Sequence, residues 1–269
     1  MRKYILLLIP FILAGCAGKP GPEKEVFASD HPQAMATLYN HFAAEYRALA
    51  YQAFNIATER LDAIRAEAPA DSLAVVVDID ETLIDNSPHQ ALVILHDTAY
   101  PYMWNEWCNL ARASAVPGAV EFLQHADAAG FGIFYISNRK DRYLREATRR
   151  NLDSLGFPQT GEEHFLLRLE RSDGNPNPSD KQARRDAVGA MGYRIVLLVG
   201  DNLGDFYSDE SSFEARREQV DSQRDAFGRT FIILPNAMYG NWPASLGIRG
   251  GASTDSLLTV AAERIPEGR

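Results

Sequence analysis

Five short apolar runs limit what this chain can become. They are residues 73–79 (LAVVVDI), 131–137 (FGIFYIS), 164–168 (HFLLR), 194–200 (RIVLLVG) and 230–236 (TFIILPN). Runs of this length, rich in β-branched residues, predict strands buried on both faces. Helix-length stretches separate them, at 116–129, 141–155, 180–191 and within 209–224. Such alternation predicts an α/β fold with a parallel sheet covered by helices on both faces. Ligands of these sheets lie beyond the carboxyl ends of the strands, so any chemistry belongs at those tips.

Upstream, Leu38, Phe42, Tyr46, Leu49, Ala53, Ile56, Leu61 and Ile64 recur at helical spacing. They predict one long helix or two over residues 30–68, capped by Ser29 or Asp30 with Pro32 in the first turn. The first 15 residues read differently. Arg2 and Lys3 precede an apolar stretch, YILLLIPFIL, too short to span a bilayer comfortably. That is the form of a secretory signal peptide. It ends in Leu13-Ala14-Gly15-Cys16, the pattern of a lipobox, after which Cys16 would carry a lipid; a plain signal peptide with a chance cysteine is the other reading. Residues 16–29, rich in Gly, Pro and charge, predict a flexible tether. Residues 30–269 then form the folded domain.

The chain carries 36 acidic and 27 basic residues, a net charge of −9. That balance argues against binding a nucleic-acid polymer, which needs a basic surplus to displace counterions. There are two cysteines, Cys16 and Cys108. With Cys16 lipidated, Cys108 has no partner and reads as a small buried apolar residue.

The polar residues cluster at the strand tips. The first run ends in Asp78, Asp80 and Thr82, the second in Ser137, Asn138 and Arg139, the fourth in Asp201, Asn202 and Asp205. A polar loop before the fourth leads to Lys181. If these tips converge, several carboxylates share one site. Neighbouring carboxylates raise one another's pKa, and a hard divalent cation relieves the conflict. Mg²⁺ suits carboxylate oxygens and keeps open positions for a phosphate, which the lysine and the hydroxyl would also meet.

These residues carry a resemblance. DIDETLID is similar to the DxDx[TV] signature of the haloacid dehalogenase superfamily, and YISNR, Lys181 and GDNLGD resemble its later motifs in order. More narrowly, DNS, AVPGA, GDNLGDF and YGNW resemble the bacterial class C acid phosphatases, among them the outer-membrane lipoprotein 5′-nucleotidases. The resemblance spans about residues 30–250 and implies a Rossmann-like core with a small, mainly helical cap. It implies that Asp78 is the nucleophile, forming an aspartyl-phosphate, and that Asp80 is the general acid and then base. It implies one Mg²⁺ held by Asp78, Asp201 and the Asp80 carbonyl, with Asp205 as an outer ligand or as a partner that orients Lys181. Thr82 would orient Asp80; Ser137, Asn138 and Lys181 would bind phosphate. Simpler readings remain for some of these: helix caps for Thr82 and Ser137, an N-cap or surface acid for Asp205.

Trp104 and Tyr239 would stack on a nucleotide base, and Arg139 would contact substrate or form a structural ion pair. Ala17 after Cys16, in place of Asp, implies an outer-membrane lipid anchor facing the periplasm or the cell surface. The implied activity is hydrolysis of small phosphomonoesters, with nucleoside 5′-monophosphates foremost. The alternatives are phosphoryl transfer to a nucleoside, or a non-catalytic lipoprotein binding haem or a nucleotide. The presence of all four motif residues and the absence of a CxxCH motif argue against the last.

Overall fold

The computed structural model describes residues 31–68, 72–169, 178–208 and 212–247. The signal peptide, Cys16, the tether, Ser29 and Asp30 lie outside them; the first described helix is capped at Gln33, so the expected cap at Ser29 or Asp30 and Pro32 in the first turn are corrected.

Two helices open the described chain: α1, Ala34–Phe42, and α2, Ala44–Glu67. Ala43 is extended (φ −73°, ψ 133°) and divides the predicted helical stretch in two. The sheet strands are β1, Leu73–Val77; β4, Gly132–Lys140; β5, Phe165–Arg168; β6, Arg194–Gly200; and β7, Phe231–Ile233. All pair in parallel, in the order β5-β4-β1-β6-β7. The helices between them are α5, Ala119–Ala128; α6, Asp141–Leu155; α7, Gln182–Ala190; and α8, Phe213–Ser222. A last short helix, α9, spans Trp242–Ser245.

Both faces of the sheet are buried, which is why the strands read as continuous apolar runs. Leu73, Val75 and Val77 join one core with Phe54 of α2 and Phe122 and Leu123 of α5. Ala74 and Val76 point the other way, into a second core with Val188 of α7 and with Phe206. The period of two along β1 thus feeds two cores at once.

Between the first and second motifs the chain leaves the sheet. A short antiparallel pair, β2 (Ile84–Asp85) with β3 (Ser114–Ala115), closes the base of an excursion that holds α3, Ser87–Leu95, and α4, Trp104–Leu110. This is the small helical cap; α1 packs on α3, and α4 on α6. The apolar-run pattern did not reveal β2, β3 or the two cap helices. Two-residue strands and a seven-residue helix are too short to repeat a period.

Strand order sets the place of the site. The chain moves outward from β1 through β4 to β5, then returns to the other side of β1 as β6. The switch point of the sheet therefore falls at β1 and β6, and ligands of open parallel sheets bind at such points. The first and fourth motifs follow these two strands.

Candidate active site

Asp78 follows the last residue of β1, and its amide still donates to the Val199 carbonyl of β6 at 2.9 Å. The ladder thus holds the backbone up to the residue whose side chain leaves the sheet. Asp78 is buried, and the Lys181 Nζ donates to its carboxylate. The same ammonium donates to Asp205 Oδ1 at 2.6 Å. Asp205 Oδ2 accepts from the Asn202 amide at 2.9 Å, and Asn202 Oδ1 accepts from the Gly204 amide at 3.2 Å. That reciprocal capping arrangement opens a single 3₁₀ turn, Leu203–Asp205, and fixes the carboxylate against β6. Of the two roles the resemblance left for Asp205, orienting Lys181 is the one visible in these contacts.

Gly200 makes room for this. A Cβ there would lie 2.4 Å from the Cβ of Asp205 and 2.2 Å from its Oδ2. Gly200→Ala is expected to push the turn outward and pull Asp205 from Lys181. Turnover should fall about 10- to 100-fold, in line with the cost of disturbing residues that orient a catalytic group. Steady-state kinetics on protein with an unchanged circular dichroism spectrum would check this.

Asp201 closes the cluster. Its carboxylate accepts from the Thr82 hydroxyl at 3.3 Å and from Asn236 Nδ2 at 2.8 Å. Thr82 therefore does not orient Asp80, as the motif resemblance had implied. Its hydroxyl instead meets the acid that follows β6. One carboxylate oxygen each from Asp78, Asp201 and Asp205 lie within 4.8 Å of one another. Burial pushes Asp78 up to about 7, with Asp205 and Asp80 adding to the shift and Lys181 opposing it. Asp201 is likewise pushed well above the carboxylate range, by burial and then by Asp205 and Asp78. Three close carboxylates with one ammonium among them leave an uncompensated negative charge, and their hard oxygen donors fit a divalent cation. The donor set and the spacing thus agree with a metal site.

Asp80 stands apart from that cluster. It accepts from Arg139 Nη2 at 2.8 Å and Nε at 3.0 Å, from Asn86 Nδ2 at 2.9 Å and from Ser137 Oγ at 3.3 Å. Arg139 also donates to the Thr148 hydroxyl at 3.0 Å, and its side chain is 1% exposed. Contact between Arg139 and substrate, as first expected, is therefore corrected to the ion-pair reading. Its fork is committed to Asp80, and no open face of the guanidinium meets solvent.

A second layer includes residues of the quoted DIDETLID and DNS stretches to which the sequence had assigned no role. Trp107 Nε1 donates to Asn86 Oδ1 at 2.7 Å, and the Asn86 amide group then donates to Asp80 and, at 3.2 Å, to Glu81. Glu81 is fully buried at φ +60° and also accepts from the Asn86 backbone amide at 2.7 Å. Burial, then Asp80 and Asp201, push it well above the carboxylate range. An asparagine and a tryptophan that look like cap packing thus position the proposed general acid.

The remaining expected residues lie around these two groups. Ser137 is buried, and its oxygen also accepts from the Arg139 amide at 3.1 Å. Asn138 lies where the β4–β5 register slips, and its exposed side chain bridges Ser179 and Arg184. Trp104 sits edge-on to His89 at 5.0 Å, with the Arg139 guanidinium 5.5 Å from its ring centre. Tyr239 is half-buried, and its hydroxyl has no partner among the described residues. It follows Met238, whose carbonyl accepts from Gln33; Gln33 in turn accepts from Gln90 of α3 at 2.8 Å. Cys108 is buried, and burial pushes its thiol up to about 12.

A family model described as HAD superfamily, subfamily IIIB (acid phosphatase) matches residues 25–242. The chain belongs to this family. Among solved structures, the class C acid phosphatase from Bacillus anthracis superposes with a TM-score of 0.76 at 38% identity, over 88% of this chain and 98% of that one. A tungstate-bound structure of that enzyme gives the same figures. Among curated relatives, acid phosphatase 1 of Solanum lycopersicum is 27% identical over 61% of this chain, and a stem 31 kDa glycoprotein of Glycine max is 30% identical over 74%. The match covers 57% of the tomato protein's length and 68% of the soybean protein's. The α/β architecture with a five-stranded parallel sheet is that of the subfamily IIIB acid phosphatases.

Proposed function

We propose that this acid phosphatase family member is a Mg²⁺-dependent phosphomonoesterase that works through an aspartyl-phosphate. The observation that carries the reading is the separation of two carboxylates two residues apart. Asp78 lies in the three-acid cluster with Lys181, and Asp80 is held outside it by Arg139 and Asn86.

A cation held by Asp78, Asp201 and the Asp80 carbonyl, with Asp205 beside it orienting Lys181, would supply charge neutralisation for the phosphate and keep Asp78 ionised. Asp78 then attacks phosphorus; the bond from phosphorus to the ester oxygen breaks, and Asp80 passes its proton to the departing oxygen. In the second half, water attacks the phosphorus, Asp80 takes its proton, and the bond to Asp78 breaks. Lys181 stabilises the charge on the transferring group. Ser137 and the Asn138 amide are the proposed phosphate contacts. Trp104 and Tyr239 are proposed to receive the base of a nucleoside 5′-monophosphate, since stacking tolerates any base. The decisive experiment measures phosphate release from nucleotides and aryl phosphates, with and without Mg²⁺. Activity that survives full chelation would overturn the metal part of the reading. Labelled phosphate appearing on an added nucleoside would favour phosphoryl transfer.

Metal binding should also depend on pH in a defined direction. Asp78 is raised to about 7 and Asp201 is raised as well, so protons compete with the cation below neutrality. In the metal-free protein their raised values stabilise the fold most at low pH, and that contribution is lost as pH rises through about 7. Added Mg²⁺ acts in the opposite sense. Its thermal stabilisation is expected to be small at pH 5 and several degrees at pH 7.5, as read by differential scanning fluorimetry. Equal shifts at both values would refute a carboxylate site.

We further propose that Cys16 is lipidated and tethers the domain to the outer membrane. Among the described residues no helix is long and apolar enough to cross a membrane. A shift of the mature protein into the detergent phase, lost in Cys16→Ser, would test the anchor.

A further inference from the structure

Arg168 and Arg184 meet at Ser179, beside the Ser137 end of β4. Arg168 ends β5, opposite Lys140 of β4. Its guanidinium donates to Ser179 Oγ at 3.3 Å, and its charge acts on the Tyr100 hydroxyl. An arginine carries five N–H donors, and the Ser179 hydroxyl is a neutral acceptor. Nearby, Arg184 of α7 donates to the Ser137 carbonyl at 2.6 Å, to Asn138 Oδ1 at 2.7 Å and to the Asp180 carbonyl at 3.2 Å, again all uncharged acceptors. Among the described residues neither guanidinium forms an ion pair with a carboxylate. Acids outnumber bases by nine in this chain, so two neighbouring arginines without a carboxylate ion pair among the described residues are a local exception.

Their position ties them to the site. Tyr100 is 64% exposed and lies edge-on to Trp104 at 5.8 Å. The charge of Asp80 acts on Tyr100, and the charge of Asp78 acts on Arg184. Burial lowers Arg184 to about 10, opposed by Asp78; the like charge of Arg168 lowers it further, so the two cations share one field. Arg184 is fixed by its carbonyl partners, whereas Arg168 is half-buried and, among the described residues, engages Ser179 Oγ with one of its nitrogens.

We propose that Arg168, flanked by Tyr100 and backed by Arg184, is a second anion-binding subsite at the β5 end of the mouth. It would take a carboxylate or a second phosphate carried on the leaving-group part of a phosphomonoester. The planar guanidinium fork suits either group. The proposal rests on the phosphatase reading for the place of the first phosphate, and its test therefore uses binding rather than turnover.

Calorimetry would compare benzylphosphonate with two analogues, one bearing a meta carboxylate and one a meta second phosphonate, in the presence of Mg²⁺. At least one analogue is expected to bind the wild-type protein about five- to tenfold tighter than the parent, the worth of a charge-assisted hydrogen bond partly open to water. The analogue with the larger advantage identifies the group. Arg168→Gln should bring that ratio close to one, and Arg168→Lys should retain part of it. Thermal unfolding of both variants separates a lost subsite from a lost fold. Equal binding of all three compounds by the wild type, or an advantage that survives Arg168→Gln in a folded protein, overturns the proposal. Phosphate release from phenyl phosphate is measured separately. Its absence, with the binding ratios as expected, would refute the reaction and leave the subsite standing.

Discussion

Asp78→Asn should abolish phosphate release, with a loss of at least about 10⁴-fold in kcat, because an amide oxygen cannot form the covalent intermediate. The same change should not harm the fold. Asp78 is buried among Asp201 and Asp205, and burial and like charge both oppose its ionisation. Replacing it with a neutral isostere removes part of that repulsion, while Lys181 keeps its contact with Asp205. The metal-free variant is thus expected to melt at or above the wild-type temperature, the pattern of a residue retained for chemistry at a cost in stability. Phosphate release and thermal unfolding on the same preparation would decide it. A variant that melts well below wild type would mean that Asp78 is structural.

Lys181→Met should give the opposite combination. The ammonium is buried between Asp78 and Asp205, and the three groups are 6–8% exposed. Two carboxylates would then face each other with no cation. Removing one partner of a buried ion pair costs about 3–5 kcal/mol, mostly from the charge left behind. The metal-free variant should lose most of that amount in denaturant unfolding, and added Mg²⁺ should restore much of it. Turnover should fall about 10³-fold even with metal bound, because the charge on the transferring phosphoryl group loses a fixed counter-charge. Unchanged stability without metal would show that Lys181 does not neutralise the cluster.

The strands were legible because their burial is two-sided. The run at 194–200 coincides with β6, and the helix at 141–155 with α6. Both present long, unambiguous patterns. The tip residues were also legible, since paired acids after an apolar strand have no inexpensive structural use. What escaped was who holds whom. The motif points Thr82 at Asp80, yet its hydroxyl faces Asp201; a substrate role suits Arg139 by position, yet its guanidinium is bound to Asp80. Neighbours in sequence diverge once the chain leaves the strand, and only the turn at Glu81 fixes where each side chain points. Asn86 and Trp107 carried no spacing signal because their importance lies in a chain of hydrogen bonds that crosses from the cap to the sheet.

The pairing of β1 with β6 has a consequence for how this protein acquires activity. The acids it brings together, Asp78 and Asp201, are separated by more than a hundred residues of chain. Closing so long a loop costs entropy before any contact repays it, and parallel strands cannot shorten the path with a hairpin. A chain that ends before β6 holds one of the three clustered acids, Asp78, and lacks both Asp201 and Asp205. Catalytic competence is therefore a late event in folding, and a partly folded chain is spared the capacity to hydrolyse phosphate esters.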